Sequence, residues 1–228
     1  PTPKTIVDSP AELAAVSQYA GQTVYVATGT YALTAPLDVP AGTTLVGGYN
    51  PATGVVDPLA TPTRLDTSAV SRNDGPAITL AAGATLDGCF LVGGPGGQTS
   101  KPTVRNCVFV SQSKWGMSGA ANIAQEVALS TCFFFDIAGA MLNNCTFTHC
   151  TFDGKIPTLN GSTDNGGNLA EVDTRRPVEP STCEAGHECP EYGLDGRPLG
   201  GHLGALAPDS FDFSPEAVKA LGYRLRLR

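Results

Sequence analysis

Charge, aromatic rings and histidine are all scarce in this chain. Of 228 residues only 15% are charged and 7% aromatic, with one tryptophan, two methionines and three histidines. The formal net charge is −7, and Lys and Arg do not cluster before the closing Arg224-Leu225-Arg226-Leu227-Arg228. That excludes a nucleic-acid binder, whose phosphate contacts need a basic stripe. No apolar run approaches the roughly 20 residues that a membrane-spanning helix requires, so no transmembrane segment is expected. The chain opens on Pro1-Thr2-Pro3 without the charged-then-apolar pattern of a leader, which reads as a mature chain with its signal peptide removed. Seven cysteines cannot all pair within one chain.

What the chain has in quantity is turn-formers, 27 glycines and 18 prolines, which imply many corners and few long helices. It also has a repeat. Four segments place an apolar residue, a cysteine three positions on and a second apolar residue two beyond: Leu86-Cys89-Leu91, Val104-Cys107-Phe109, Leu129-Cys132-Phe134 and Phe147-Cys150-Phe152. Their starts are 18, 25 and 18 residues apart. The same register continues backwards, less cleanly, through Leu65-Ser68-Val70, Leu45-Gly48-Asn50 and Val26-Gly29-Tyr31. A local shape recurring at this period marks stacked turns that each touch only their neighbours.

The expected fold is all-β, a right-handed parallel β-helix solenoid of about seven coils, with an N-terminal capping helix and a loop-rich C-terminal segment ending in a short helix. Cys89, Cys107, Cys132 and Cys150 are expected as a buried ladder at one corner, behaving as small hydrophobes, with Cys145 on a neighbouring face. Residues 130–154 also parse into five pentads centred on Cys132, Ile137, Leu142, Phe147 and Phe152, which raises a square pentapeptide-repeat solenoid as the rival. Three regions follow: 1–22 with the cap helix, 23–156 as the β-helix, and 157–228 as an excursion laid along the outside. The cap helix is placed at Asp8 to Ala20, from its Asp-Ser-Pro start and the spacing of Leu13, Val16 and Tyr19. The closing helix is placed at Ser214 to Gly222.

Cys183 and Cys189 lie in the polar stretch Ser181-Thr-Cys-Glu-Ala-Gly-His-Glu-Cys189, where a local disulfide is the natural reading and an extracytoplasmic location follows. With His187 between them they also form C-x₃-H-x-C, which has zinc-binding chemistry but only three donors, and disulfide is preferred.

The stretch Ala11–Tyr31, Ala-Glu-Leu-Ala-Ala-Val-Ser-Gln-Tyr-Ala-Gly-Gln-Thr-Val-Tyr-Val-Ala-Thr-Gly-Thr-Tyr, is followed by Gly47-Gly48-Tyr49 and Asp57-Pro58 … Thr63-Arg64-Leu65. These motifs, with the distal Asp195-Gly196-Arg197-Pro198 and Gly204-Ala205, resemble the pectate-lyase-like right-handed β-helix superfamily, and within it secreted or cell-surface bacterial proteins of the polymorphic outer-membrane type. Leu194 and His202-Leu203 depart from the aspartates usual there. The motifs are architectural, so the resemblance implies a fold and a location and assigns no chemistry.

Hydrolases on that fold use clustered aspartates with Gly-His-Gly and Arg-x-Lys motifs, and none of these occurs. A lyase needs a Lys or Arg base aimed at an acidic sugar. Arg105, expected to point outward, and Lys114, in the insertion Ser111 to Glu126, are its nearest candidates. Asp66, Asp87, Asp136 and Asp153 could share one side of the stack, although acidic turn residues are ordinary. Trp115, in the same insertion, could stack on a sugar, dock a partner or fold over the wall. No catalytic, cofactor or metal site is expected. The reading is a non-catalytic extracellular or cell-surface protein, structural, adhesive or self-assembling into a homo-oligomer or filament. The alternative is a polysaccharide lyase or carbohydrate-binding module for an acidic glycan.

Overall fold

The computed structural model of the protein describes residues 4–58, 60–70, 76–92, 95–97, 101–110, 121–135, 140–153, 158–166, 168–172, 191–192 and 198–199. Its core is three sheets of nine, seven and six strands that the chain visits in rotation, parallel throughout except for Val55–Val56, which pairs antiparallel with Thr44–Asn50 in the first. Thr23–Ala27 lies in the first sheet, Gly29–Ala32 in the second and Leu37–Val39 in the third, and Thr44–Asn50 returns to the first. The rotation repeats through Thr85–Asp87, Cys89–Val92 and Pro95–Gly97 and continues to Leu169–Val172 in the second sheet. This arrangement is compatible with a β-helix.

Alternation of side chains along each strand fills the interior. In the first sheet Val24, Leu45, Leu86, Val104, Leu129 and Phe147 are paired in sequence and buried. In the second sheet the inward file is Tyr31, Leu65, Leu91, Phe109, Phe134 and Phe152. Its last three rings stack, with centroids 4.3 and 4.8 Å apart and interplanar angles of 17° and 14°. The third sheet contributes Leu37, Val39, Ile78, Leu80, Ala124 and Leu142. Each fully buried Leu or Phe contributes on the order of 1.5–3 kcal/mol of burial free energy.

The corners require backbone with positive φ. Between the third and first sheets they carry Gly42, Gly83, Lys101, Glu126, Asn144 and Gly161, all left-handed, and Gly21 holds the same conformation before the first coil. Between the first and second sheets Gly88, Asn106, Thr131 and His149 do the same. At Gly47, a Cβ would lie 2.6 Å from the carbonyl oxygen of Gly88 and 2.7 Å from Cys89 Sγ, so the Gly-Gly-Tyr motif is a site of close backbone approach.

Three expectations need correction. Leu65-Ser68-Val70 is not a repeat of Leu86-Cys89-Leu91, because Leu86 pairs directly with Leu45 while Leu65 pairs with Tyr31 and Leu91 in the second sheet. The strings Arg64-Leu65-Asp66 and Thr85-Leu86-Asp87 are locally alike, so spacing alone assigned Leu65 to the wrong sheet. Val26 is displaced for a related reason: Leu45 pairs with Val24. Among the described residues, 128–153 pass through three sheets, which does not support the square pentapeptide rival.

The N-terminal segment also differs from one continuous helix. Thr5–Val7 is a strand on the edge of Thr23–Ala27, too short to stand out in the sequence. The α-helix covers Pro10–Ala14, and a 3₁₀ turn follows over Val16–Tyr19. Ala15 N–H donates to the carbonyls of both Ala11 and Glu12, at 3.2 and 3.1 Å, which tightens the winding there. Leu13, Val16 and Tyr19 are spaced by three, and three residues per turn keeps them all on the face packed towards Leu37–Val39. Ser9 caps the helix by accepting from Glu12 N–H at 3.4 Å, and the Glu12 carboxylate accepts from Asp8 N–H at 3.0 Å. That backbone bond holds the exposed Glu12 carboxyl below its ordinary pKa. The closing helix at 214–222 and most of the 157–228 region lie outside the described residues.

Candidate functional site

The outer face of the first sheet carries the residues of greatest chemical interest. One outward file is Thr23, Thr44, Thr85, Thr103, Ala128, Thr146 and Thr163, paired strand to strand. The second is Tyr25, Val46, Asp87, Arg105, Ser130 and Thr148. Parallel strands repeat at about 4.7–4.9 Å, so hydroxyls stand in rows across this face.

Arg105 points outward and is paired. Its Nε donates to Asp87 Oδ2 at 2.9 Å, and its Nη2 lies 2.9 Å from the same oxygen. Asp87 Oδ1 accepts from Asn106 Nδ2 at 2.8 Å, and Asn106 Oδ1 accepts from the Thr131 hydroxyl at 2.6 Å. Three successive strands are thus linked across the face by side chains. The sequence signal for this was present: Asp87 and Arg105 hold the same place in adjacent repeats with opposite charge, and cross-strand partners follow from register. At the near end of the face Lys4 Nζ sits 4.8 and 4.9 Å from the ring centroids of Tyr25 and Tyr49 and donates to Gly54 O at 3.1 Å. Sequence reading missed this cluster, because Lys4 and Gly54 are 50 residues apart with no motif joining them.

Asp66 and Asp87 do not share a side. Asp66 lies in the second sheet beside Arg64, 3.8 Å away, and Asp87 in the first. Asp153 is in the second sheet as well. Asp136, Lys114, Trp115, Cys183, His187 and Cys189 lie outside the described residues. Among the described residues no group of three or more His, Cys, Asp or Glu side chains is placed to hold a metal ion. No described helix is long and apolar enough to cross a membrane.

Cys89, Cys107, Cys132 and Cys150 are buried and unbonded, as is Cys145. Each of the four immediately precedes or begins its second-sheet strand, and the pairing of those strands places them on adjacent levels. Thr63 continues the file below Cys89. Its hydroxyl lies 2.9 Å from Gly48 N–H, which donates to it, and 3.0 Å from Val26 O. The thiols behave alike: Cys107 donates to Leu86 O at 3.7 Å and Cys132 to Val104 O at 3.4 Å, each on the preceding level. At the far end Asn168 Oδ1 accepts from Cys150 N–H at 2.7 Å. Burial pushes the Cys107 thiol up to about 12 and raises Cys89 and Cys132 as well. These groups are neutral packing, the reverse of what a nucleophile or metal ligand requires.

No family model matches the chain, and no curated protein or solved structure is significantly similar to it.

Proposed function

We propose that the chain is a right-handed parallel β-helix of about seven coils, of the pectate-lyase-like kind, serving as a non-catalytic structural, adhesive or self-assembling protein outside the cell. The hand follows from the strong rule for parallel crossovers. About seven coils remain because the coil withdrawn at Leu65 is replaced by a last one at Thr163–Asp164.

The observation that carries the functional reading is the bonding of polar side chains to one another along the stack. Arg105 and Asn106 hold Asp87, and Thr131 holds Asn106, so the groups best suited to bind or to transfer protons staple successive levels. A wall of this kind is weakly charged, with its polar groups bonded to one another. Its two ends differ, and a heterologous end-to-end contact that does not close makes a filament.

Electron microscopy and sedimentation of the protein at rising concentration test the self-assembling form: growing rods are expected, and monomers at every concentration would end it. The extracytoplasmic location is tested on protein from its native source by alkylation before and after unfolding. Five cysteines are expected to label only after unfolding, with Cys183 and Cys189 joined. Seven free thiols would overturn the assignment.

The hydroxyl files and Tyr25 favour a second reading, a binding module or lyase for an acidic glycan. It is tested with a panel of acidic polysaccharides, reading both binding and ultraviolet absorbance of unsaturated products with and without calcium. Neither signal across the panel would remove it.

A further inference from the structure

The corner leading into the first sheet carries a hydrogen bond up the stack from level to level. Gly21 N–H donates to Ala41 O, Gly42 to Ala82 O, Glu126 to Asn143 O and Asn144 to Asn160 O, at 3.2, 3.0, 2.8 and 2.7 Å. Gly161 comes next in this file, because Asn160 is the strand partner of Asn143. Its N–H has no acceptor among the described residues, where no strand lies beyond Thr158–Asn160 in the third sheet. All three residues of that strand are exposed, and so is Gly161. Edge backbone of this kind opens locally at low free energy.

We propose that Asn160-Gly161 is a site of spontaneous deamidation that loosens the far turn with age, and that the chain's other Asn-Gly pair, Asn165-Gly166, is protected from it. When the edge opens, the Gly161 nitrogen, with no side chain of its own to obstruct the approach, attacks Asn160 Cγ and gives up its proton. The bond from Cγ to Nδ2 breaks, ammonia leaves with that proton, and a five-membered succinimide remains. Water then opens either ring C–N bond, giving aspartate or, with the chain rerouted through the side-chain carbonyl, isoaspartate. At Asn165 the same attack is hindered: Gly166 N–H donates to Asp164 Oδ1 at 2.7 Å, Asn165 N–H to Phe147 O at 2.9 Å, and Gly166 O accepts from His149 N–H at 3.1 Å. The carboxylate at that nitrogen also opposes the negative charge the nitrogen gathers as it attacks. The consequence at Asn160 reaches the level below. Asn160 Nδ2 donates to Asn143 Oδ1 at 3.1 Å, and Asn143 Nδ2 to Gln125 Oε1 at 3.4 Å. Either product sets a carboxylate with no donor against Asn143 Oδ1, and isoaspartate also displaces the carbonyl that Asn144 N–H uses.

The test uses the full-length chain, incubated at neutral pH and digested with trypsin. Tandem mass spectrometry of peptide 156–175, which holds both sites, reads the two reactions separately. In the folded chain, product is expected to accumulate at Asn160 at least several-fold faster than at Asn165, and in urea the two rates should converge. Asn160→Gln, which would have to close a less favourable six-membered ring, should abolish the product at that position. Equal rates in the folded chain, or faster reaction at Asn165, would overturn the proposal. So would a lack of product at Asn160 over a period in which the urea-unfolded chain reacts there. Hydrogen exchange at Asn144 N–H should quicken in the isoaspartate form, and unchanged exchange would overturn the loosening assigned to it.

Discussion

Thr131 is the most strained residue described. Its φ is +48°, and a β-branched side chain in the left-handed region is unfavourable by about 1–2 kcal/mol relative to glycine. Its hydroxyl offsets part of this by bonding Asn106 Oδ1 and Ser130 O at 2.6 and 2.7 Å. Asparagine tolerates that backbone and extends the amide bonding from Asn106. Thr131→Asn is therefore expected to raise stability by about 0.5–1 kcal/mol in urea unfolding; a loss would show that the hydroxyl bonds outweigh the strain. The cysteines give a pH prediction. A thiol is neutral when protonated, and burial raises the folded pKa of Cys89, Cys107, Cys132 and Cys145 above the ordinary 9.0, to about 12 for Cys107. Their contribution is complete below pH 9 and is lost as pH rises towards 12, because the unfolded chain ionises first. Thermal midpoints should fall over that window, and Cys107→Ala should flatten the fall while lowering stability at pH 7.

At the scale of elements, the aromatic file of the second sheet is a continuous stack of three rings. Phe134 stacks on Phe109 below and Phe152 above, so Phe134→Ala is expected to cost about 3–5 kcal/mol in chemical unfolding. The helix is more lightly held: Ser9→Ala removes its cap and should cost about 1 kcal/mol. The elements also show what the sequence made legible. A small buried residue before an apolar pair is distinctive, so the four cysteine segments were placed in mutual register by spacing alone. Leu65 was misplaced because a leucine between polar neighbours suits any of the three sheets, and the hairpin strand Val55–Val56 lengthens that passage. Thr5–Val7 went unseen because three residues carry too little periodicity. At the candidate site, the outward direction of Arg105 was readable from alternation. Its bond to Asp87 needed the register to be applied to charges, and the approach of Lys4 to Tyr25 and Tyr49 needed the fold itself.

At the scale of the molecule, the ion pair on the first sheet adds little stability. The Arg105 side chain is half exposed, and such pairs contribute about 0.2–1 kcal/mol. A double-mutant cycle with Arg105→Ala and Asp87→Ala should return a coupling in that range that shrinks in high salt; a coupling well above it would mark the pair as central to the wall. The two ends of the stack are unlike. The near end carries the strand Thr5–Val7 and the helical turns against Leu37–Val39. At the far end Leu159 is 42% exposed, although its partner Leu142 is 0% exposed. Asp164 stands there beside Phe147, in a position that lower levels fill with apolar side chains. This polarity gives the chain a direction of assembly during synthesis. In the proposed β-helix the base leaves the ribosome first, and each later turn meets a ready template on the edge already laid down. Shortened chains released from the far end should fold into lower stacks, whereas chains lacking residues 1–22 should lose their starting point.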